Sequence, residues 1–140
     1  MTGSTKNPIS VSIIGGSGYT GAELMRIVSR HPHLKLVQVV ANRNAGKKIQ
    51  DIFPHLRHLN LPDFISFEKM IFEGLDLIFC ALPHATSQEI IVKIPEGIKI
   101  IDLSADFRLE RVEEYERWYG QKHIAPSLQE KSVYGLTEIY

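Results

Sequence analysis

The sequence Val11-Ser-Ile-Ile-Gly-Gly-Ser-Gly-Tyr-Thr-Gly-Ala-Glu-Leu24 joins a short apolar run to a helical pattern through a cluster of glycines. From Gly16 onward the spacing is G-x-G-x-x-G. Glycines at this spacing permit a tight turn, a close approach of backbone to a pyrophosphate, and close packing of a helix on a strand. The helix start adds free N–H groups and the positive end of a dipole. The stretch therefore predicts a phosphate-binding loop between a strand and a helix. Its residues are Gly15, Gly16, Ser17, Gly18, Tyr19, Thr20 and Gly21.

The composition is typical of a globular protein of one domain. The chain has 140 residues, of which 44% are hydrophobic and 23% charged. Sixteen basic residues balance sixteen acidic ones, so the formal net charge is zero, which argues against binding to nucleic acid or to an anionic membrane. The single cysteine and the lack of a targeting pattern predict a cytoplasmic location. We expect residues 1–8 to be a flexible leader and residues 9–140 to be the folded domain.

Apolar, β-branched runs alternate with helical patterns along the chain. Strands are predicted at Ile9–Ile14, Leu34–Ala41, Leu75–Leu82 and Ile98–Leu103, with a short one at Phe64–Phe67. Alternation of this kind predicts an α/β fold: a doubly wound parallel sheet of the Rossmann-like, dinucleotide-binding type.

The helical segments between these strands are predicted from the spacing of apolar residues. Leu24, Ile27 and Val28 define one buried helix face. Residues 70–74 predict a short helix, and Thr86-x-x-Glu89 predicts a capping box at the start of another. A further helix face is formed by residues 112, 115 and 119, with Gly120 as its stop. Residues 126–140 are expected to be irregular.

The carboxyl ends of the predicted strands bring four segments to one edge of the sheet, where such folds bind ligands. One of them, Asn42-Arg43, lies about 20 residues past the glycine loop, where NAD-specific folds tend to carry an acidic residue for the ribose. An arginine can instead bind a 2′-phosphate through two hydrogen bonds. We therefore predict NADP(H) as the cofactor. The alternative is that Arg43 forms a solvated basic turn with Lys47 and Lys48.

Metal binding is not expected. His55 and His58 have a spacing that could ligate a metal on a helix, but the segment offers no convincing third ligand. Cys80 lies inside an apolar strand with no adjacent basic group, so we expect a buried, protonated thiol.

Several motifs resemble those of the N-acetyl-γ-glutamyl-phosphate reductases, relatives of aspartate-semialdehyde dehydrogenase in arginine biosynthesis. The motifs are Gly15–Leu24, Phe53-Pro-His-Leu56, Ala81-Leu-Pro-His84, Ile101-Asp-Leu-Ser-Ala-Asp-Phe-Arg-Leu109, Trp118-Tyr-Gly120 and Val133-Tyr-Gly-Leu136. Because they are spread over residues 11–136, the resemblance covers nearly the whole chain. The segment Leu103–Arg108 is much more specific than the glycine loop.

The resemblance implies an NADPH-dependent reduction of a small acyl phosphate to an aldehyde with release of phosphate. The glycine loop would hold the pyrophosphate, while Asn42 and Arg43 would select the 2′-phosphate. Leu82 and Pro83 would lie near the nicotinamide half. Two further positions would face the substrate side: Ser104 as a cofactor-binding residue, and Arg108 as a ligand of the acyl phosphate. Arg108 could instead pair with a nearby acid, Asp102, Asp106 or Glu110.

The resemblance also implies a nucleophilic cysteine in a Gly-Cys-Tyr-Pro-type motif that would follow Tyr140. Cys80 does not match that cysteine, and His84 does not match the family's base. We therefore expect no catalytic residue in these 140 residues, no turnover by the chain alone, and a homo-oligomer for the whole reductase. Two alternatives are a non-catalytic NADP-binding regulatory module and an extended short-chain dehydrogenase. The latter class needs a Tyr-x-x-x-Lys pair, which the sequence lacks.

Overall fold

The computed structural model describes residues 7–139. Residues 1–6 of the predicted leader lie outside this range, as does Tyr140. The described part contains five strands, all parallel, in the order β3-β2-β1-β4-β5. They are β1 Ile9–Ile14, β2 Leu34–Val40, β3 Phe64–Ile65, β4 Leu77–Cys80 and β5 Lys99–Asp102. The predicted doubly wound parallel sheet is confirmed.

The strand order reverses between β1 and β4. The chain adds β2 and β3 on one side of β1, then returns to place β4 and β5 on the other side. In open parallel sheets such a reversal leaves a crevice at the carboxyl ends of the two strands, and that crevice is where ligands bind. The glycine loop follows β1 directly, so it lies at this crevice.

Five α-helices connect and follow the strands. They are α1 Tyr19–Val28, α2 Ile49–Ile52, α3 Thr86–Ile91, α4 Val112–Tyr119 and α5 Pro126–Gln129. Short 3-10 helices span Asn42–Asn44, Pro54–Leu56 and Phe67–Lys69. Among residues 7–139, none of the helices has the length and apolar character that a membrane crossing requires.

Neighbouring residues of the central strands point to opposite faces of the sheet and build two cores. Ile13 and Val39 pack in a cluster with Met25 of α1, whereas Ile14 and Val40 pack in a second cluster with Ile91 of α3. All six side chains are at most 6% exposed. Burial on both faces explains why apolar residues follow one another directly at Ile13-Ile14 and Val39-Val40 rather than alternating with polar residues there.

Three local predictions are wrong. Ile27 does not belong to the buried face of α1: it is 48% exposed, and Met25, together with Ala22 and Val28, packs inward instead. No helix forms at residues 70–74. The nearest helical turn is the 3-10 helix Phe67–Lys69, which ends just before Met70. The third prediction, an irregular stretch from residue 126, overlooked the short helix α5.

The predicted capping box is also absent. Thr86 is the first residue of α3, Ala85 is its N-cap, and no side chain of the cap residue bonds to the helix. Instead, the carboxylate of Asp106, which is distant in sequence, accepts the N–H groups of Ala85 and Gln88 at 2.7 and 3.2 Å. Gly120 does end α4, as predicted, and it has a left-handed conformation with φ +68°.

The start of α1 packs closely on the loop that follows β1, so two glycine-to-alanine substitutions should differ in their effect on stability. A Cβ at Gly21 would lie 2.6 Å from the Cα of Gly16, whereas the nearest atom to a Cβ at Gly18 is 4.0 Å away. We expect Gly21→Ala to lower the free energy of unfolding by about 1–3 kcal/mol through overpacking. The control, Gly18→Ala, should cost less than about 1 kcal/mol because only an N-cap preference is lost. Urea denaturation measures both values, and equal losses would contradict the packing described.

Candidate functional site

The glycine loop is held at the crevice by hydrogen bonds and by close backbone contact. The N–H groups of Gly15 and Gly16 both donate to the carbonyl of Val40 at 3.0 Å, which fixes the loop to the end of β2. Gly15 has φ +85°, and a Cβ there would lie 2.5 Å from the carbonyl oxygen of Ala81 after β4. The loop therefore closes against both neighbours of β1, and Gly15 permits this by conformation and by size.

The N-terminus of α1 opens from this loop with its backbone donors exposed. Gly18 is the N-cap, no cap side chain bonds to the helix, and no acidic residue lies in the first turn. Ser17, Tyr19 and Thr20 are exposed, and Tyr19 is 94% so. A ten-residue helix with such an end presents N–H groups and a positive partial charge to an anion. The end can accept a phosphate without displacing an internal cap.

Asn42 and Arg43 follow β2 on the same edge, in a 3-10 helix of residues 42–44. The side-chain oxygen of Asn42 accepts the N–H of Phe67 at 2.8 Å, so its amide nitrogen is left as the donor. Arg43 is exposed, and it takes part in neither of the two ion pairs found within residues 7–139. Lys47, in contrast, donates to the side chain of Asn44 at 3.2 Å. Arg43 is thus an exposed cation without an ion-pair partner in this range, on the edge of the sheet where the glycine loop lies.

Leu82 and Pro83 follow β4 on the opposite side of the crevice and lead into the turn at His84-Ala85. Ala85 has φ +68°, and it is the only non-glycine residue with positive φ in the part of the chain that the structure describes. A left-handed conformation at such a residue costs about 1–3 kcal/mol, so it needs support from its surroundings. That support is the Asp106 carboxylate, which accepts the Ala85 N–H.

Ser104 lies on this edge after β5, but its hydroxyl is engaged within the loop. It donates to Asp102 Oδ2 at 2.7 Å and accepts the N–H of Asp106 at 3.1 Å. The other oxygen of Asp102 accepts the hydroxyl of Ser87 at 2.8 Å. The Ser104 hydroxyl has already used its only proton, so it could meet a cofactor only as an acceptor.

Arg108 extends from the same loop, and its side chain is exposed. Its guanidinium carbon lies 5.9 Å from the ring centre of Tyr134, a cation–π arrangement. The alternative that it pairs with Asp102, Asp106 or Glu110 has no support within residues 7–139, where neither ion pair includes Arg108. The carboxylates of Asp102 and Asp106 instead accept hydrogen bonds from Ser87, from Ser104 and from the α3 N-terminus.

A buried polar network behind this edge was not found from the sequence. Asp106 is 0% exposed, and its Oδ1 accepts the hydroxyl of Tyr115 at 2.9 Å in addition to the Ala85 N–H. Its backbone carbonyl lies 2.9 Å from Nε2 of His123. The side chain of Gln88 accepts the N–H of Ile124 at 2.7 Å. Burial and the Asp106 contact raise the pKa of the Tyr115 hydroxyl to about 12, so it remains a donor at neutral pH.

The residues with nucleophile or metal-ligand chemistry are not assembled into a second site. Cys80 is 0% exposed, and burial, with a smaller contribution from the charge of Asp102, raises the pKa of its thiol to about 12. His84 lies in the exposed turn, with its ring centre 6.0 Å from that of Tyr119. His55 and His58 are exposed, and no three potential metal ligands cluster within the described range.

Comparison with known families gives a match over most of the chain. The family model described as the NAD-binding domain of semialdehyde dehydrogenase matches residues 10–140. This chain belongs to that family. Its glycine loop, crevice and parallel sheet are therefore the features of a nicotinamide-dinucleotide domain. The family match itself favours this family over the short-chain dehydrogenase alternative.

Several curated relatives are reductases of one kind. The chain is 53% identical to the N-acetyl-gamma-glutamyl-phosphate reductase of Rhodobacter capsulatus over 130 residues, which are 93% of this chain and 38% of that protein. It is 52% identical to the reductase of Ruegeria pomeroyi over the same shares, and 48% identical to that of Paracoccus denitrificans over 94% of this chain and 39% of the relative. The resemblance read from the motifs is confirmed, and the chain spans under two-fifths of these relatives.

Solved structures confirm the fold. Aspartate semialdehyde dehydrogenase from Candida albicans, determined with NADP, superposes with a TM-score of 0.62 at 20% identity, over 76% of this chain and 32% of that one. The aspartate semialdehyde dehydrogenase II of Vibrio cholerae superposes with a TM-score of 0.60 at 17% identity, over 74% of this chain and 30% of that one. At these identities the likeness concerns the sheet and its topology alone.

Proposed function

We propose that this chain is the cofactor-binding part of an NADPH-dependent reductase that converts N-acetyl-γ-glutamyl phosphate to N-acetylglutamate semialdehyde and releases phosphate. The observation that carries the proposal is the crevice between β1 and β4, where the glycine loop, the free α1 N-terminus and the Leu82–Ala85 turn meet. The chain is 52–53% identical in sequence to two reductases named for this substrate, which supports the choice of substrate.

The residues present fit a dinucleotide. Backbone approach at Gly15 and the uncapped first turn of α1 suit the pyrophosphate, and the exposed cation at Arg43 suits a 2′-phosphate. NADPH, when bound, supplies the hydride for the reduction. Residues 15–21, Asn42 and Arg43 would bind the adenosine and phosphate half, and Leu82 and Pro83 would line the nicotinamide half. Ser104 would shape the edge beside them rather than donate to the cofactor.

Arg108 is proposed as the ligand of the acyl phosphate. It is exposed on the loop that follows β5, on the same edge as the crevice, and it has no carboxylate partner within residues 7–139. A guanidinium in this position can hold a phosphate through two parallel hydrogen bonds. A small-molecule substrate rather than nucleic acid, a homo-oligomeric state of the whole reductase, and a cytoplasmic location remain predictions.

Arg43 predicts the choice between the two nicotinamide cofactors. We expect the chain to bind NADPH more tightly than NADH, and Arg43→Ala to weaken NADPH binding roughly ten- to hundredfold by removing charge-assisted hydrogen bonds. Binding of NADH should change by less than about twofold. Fluorescence titration of reduced nicotinamide measures both. Arg30→Ala is the matched control, since Arg30 is an exposed arginine just after the far end of α1. Equal affinities for the two cofactors in the unsubstituted chain would remove this role of Arg43.

The burial of Cys80 predicts that the chain does not turn over substrate, although it binds the cofactor. A nucleophilic cysteine must be a thiolate that the substrate can reach, because it attacks the acyl carbon to form a thioester. Cys80 is buried, and the pKa of its thiol is about 12. We therefore expect the 140-residue chain to bind NADPH and to leave it unoxidised when N-acetyl-γ-glutamyl phosphate is added. The absorbance of the reduced nicotinamide follows this, with the Rhodobacter capsulatus reductase as positive control. Substrate-dependent oxidation by this chain alone would contradict the expectation, and failure to bind NADPH would contradict the proposed function itself.

A further inference from the structure

The turn between β4 and α3 is held in place by one buried carboxylate. Asp106 Oδ1 accepts the N–H of Ala85 at 2.7 Å, and Oδ2 accepts the N–H of Gln88 at 3.2 Å. Asp106 itself is 0% exposed and lies on a different loop, the one that follows β5. The two bonds therefore tie the start of α3 to the neighbouring loop at the edge of the sheet.

The carboxylate of Asp106 is fixed by one further donor, and the backbone of the same residue is also hydrogen-bonded. Tyr115 of α4 donates its hydroxyl to Oδ1 at 2.9 Å, and the Ser104 hydroxyl accepts the backbone N–H of Asp106 at 3.1 Å. The ring of His123 lies edge-on to that of Tyr115, with centres 5.0 Å apart, and bonds to the Asp106 carbonyl. An anion held by three donors in a buried site has a single orientation, and it transmits that orientation to the groups that it binds.

The turn that Asp106 holds is strained and forms one wall of the crevice. Ala85, with φ +68°, ends the segment that begins at Ala81, the residue whose carbonyl is in closest approach to Gly15. Leu82 and Pro83 lie between these two anchors. The segment is thus fixed at one end by the glycine loop and at the other end by Asp106.

We propose that Asp106 is a positioning residue for the nicotinamide half of the cofactor: by bonding the N–H groups of Ala85 and Gln88 it fixes the Leu82–Ala85 turn against which that half binds. This inference rests on the proposed function, because it assumes that the crevice binds NADPH. Asp106 acts through the turn and does not itself contact the cofactor. The adenosine half binds on the other side of the crevice and does not depend on Asp106.

A comparison of a whole cofactor with its adenosine half tests the proposal. In Asp106→Asn one of the two side-chain oxygens is replaced by an NH₂ group, which cannot accept an N–H, so the side chain can keep only one of the bonds to Ala85 and Gln88. We expect the dissociation constant of NADPH to rise about tenfold and that of adenosine 2′,5′-bisphosphate to change by less than about twofold, both measured by calorimetry. Equal weakening of both ligands, or no effect on either, would overturn the positioning role.

Two further variants separate positioning from general loss of stability. Asp76→Asn alters a carboxylate that also accepts a backbone N–H, that of Ser10 at 2.8 Å, but lies just before β4 at the opposite edge of the sheet. Asp76→Asn is expected to lower stability without changing the ratio of the two dissociation constants. Tyr115→Phe removes one of the donors that orient Asp106 and keeps the bonds to Ala85 and Gln88, so it should change the ratio in the same direction as Asp106→Asn but by less. A changed ratio in Asp76→Asn would mean that the ratio reports stability, and the proposal would fail.

A measurement on the unsubstituted chain keeps the proposal testable where Asp106→Asn does not fold. Amide hydrogen exchange at Ala85 should be slowed further by NADPH and left unchanged by adenosine 2′,5′-bisphosphate. Slowing by both ligands, or by neither, would overturn the proposal. If the unsubstituted chain binds neither ligand, the proposed function fails with it, so the two failures are distinguishable.

Discussion

The close contact between the backbone of Gly15 and the carbonyl of Ala81 sets the geometry of the crevice between β1 and β4. It joins the two strands at which the sheet reverses its order, and any side chain at Gly15 would meet that oxygen at 2.5 Å. Because the loop is so close to β4, it turns directly into α1 and leaves the helix N-terminus at the crevice. The same contact aligns the turn after β4 on the other wall. The packing of the glycine loop and the shape of the crevice therefore depend on the same contact.

Features that depend on neighbours in sequence were predicted well. The span of β1 was predicted to the residue, and the glycine loop, the parallel sheet and the stop at Gly120 follow from local spacing. The cap of α3 could not be predicted, because its donor groups and Asp106 are separated by about 20 residues and meet only in the folded chain. Ile27 was misplaced because α1 turns Met25 rather than Ile27 toward the sheet. The roles given to the site residues remain predictions.

The edge of the sheet combines exposed groups whose chemistry suits an anion with a buried polar framework. The exposed part consists of the α1 N-terminus, Arg43 and Arg108, all of which favour phosphate groups. The buried part consists of Asp102 and Asp106, whose carboxylates are satisfied by hydroxyl and backbone donors. Because the negative charges are satisfied internally, they shape the site and leave the exposed cations available. The thiol of Cys80 is also buried in the sheet, so we propose that this part of the molecule binds and orients the cofactor.

We expect NADPH to bind at the carboxyl edge of the sheet, which the glycine loop organises. A map of amide chemical shifts of the isotope-labelled chain during titration with NADPH tests this expectation. The largest changes should fall at residues 15–21, at Asn42 and Arg43, and at residues 82–85, with little change at Ser10, Asp76 and Lys99 at the amino edge. Changes concentrated at the amino edge, or spread evenly over the sheet, would contradict it.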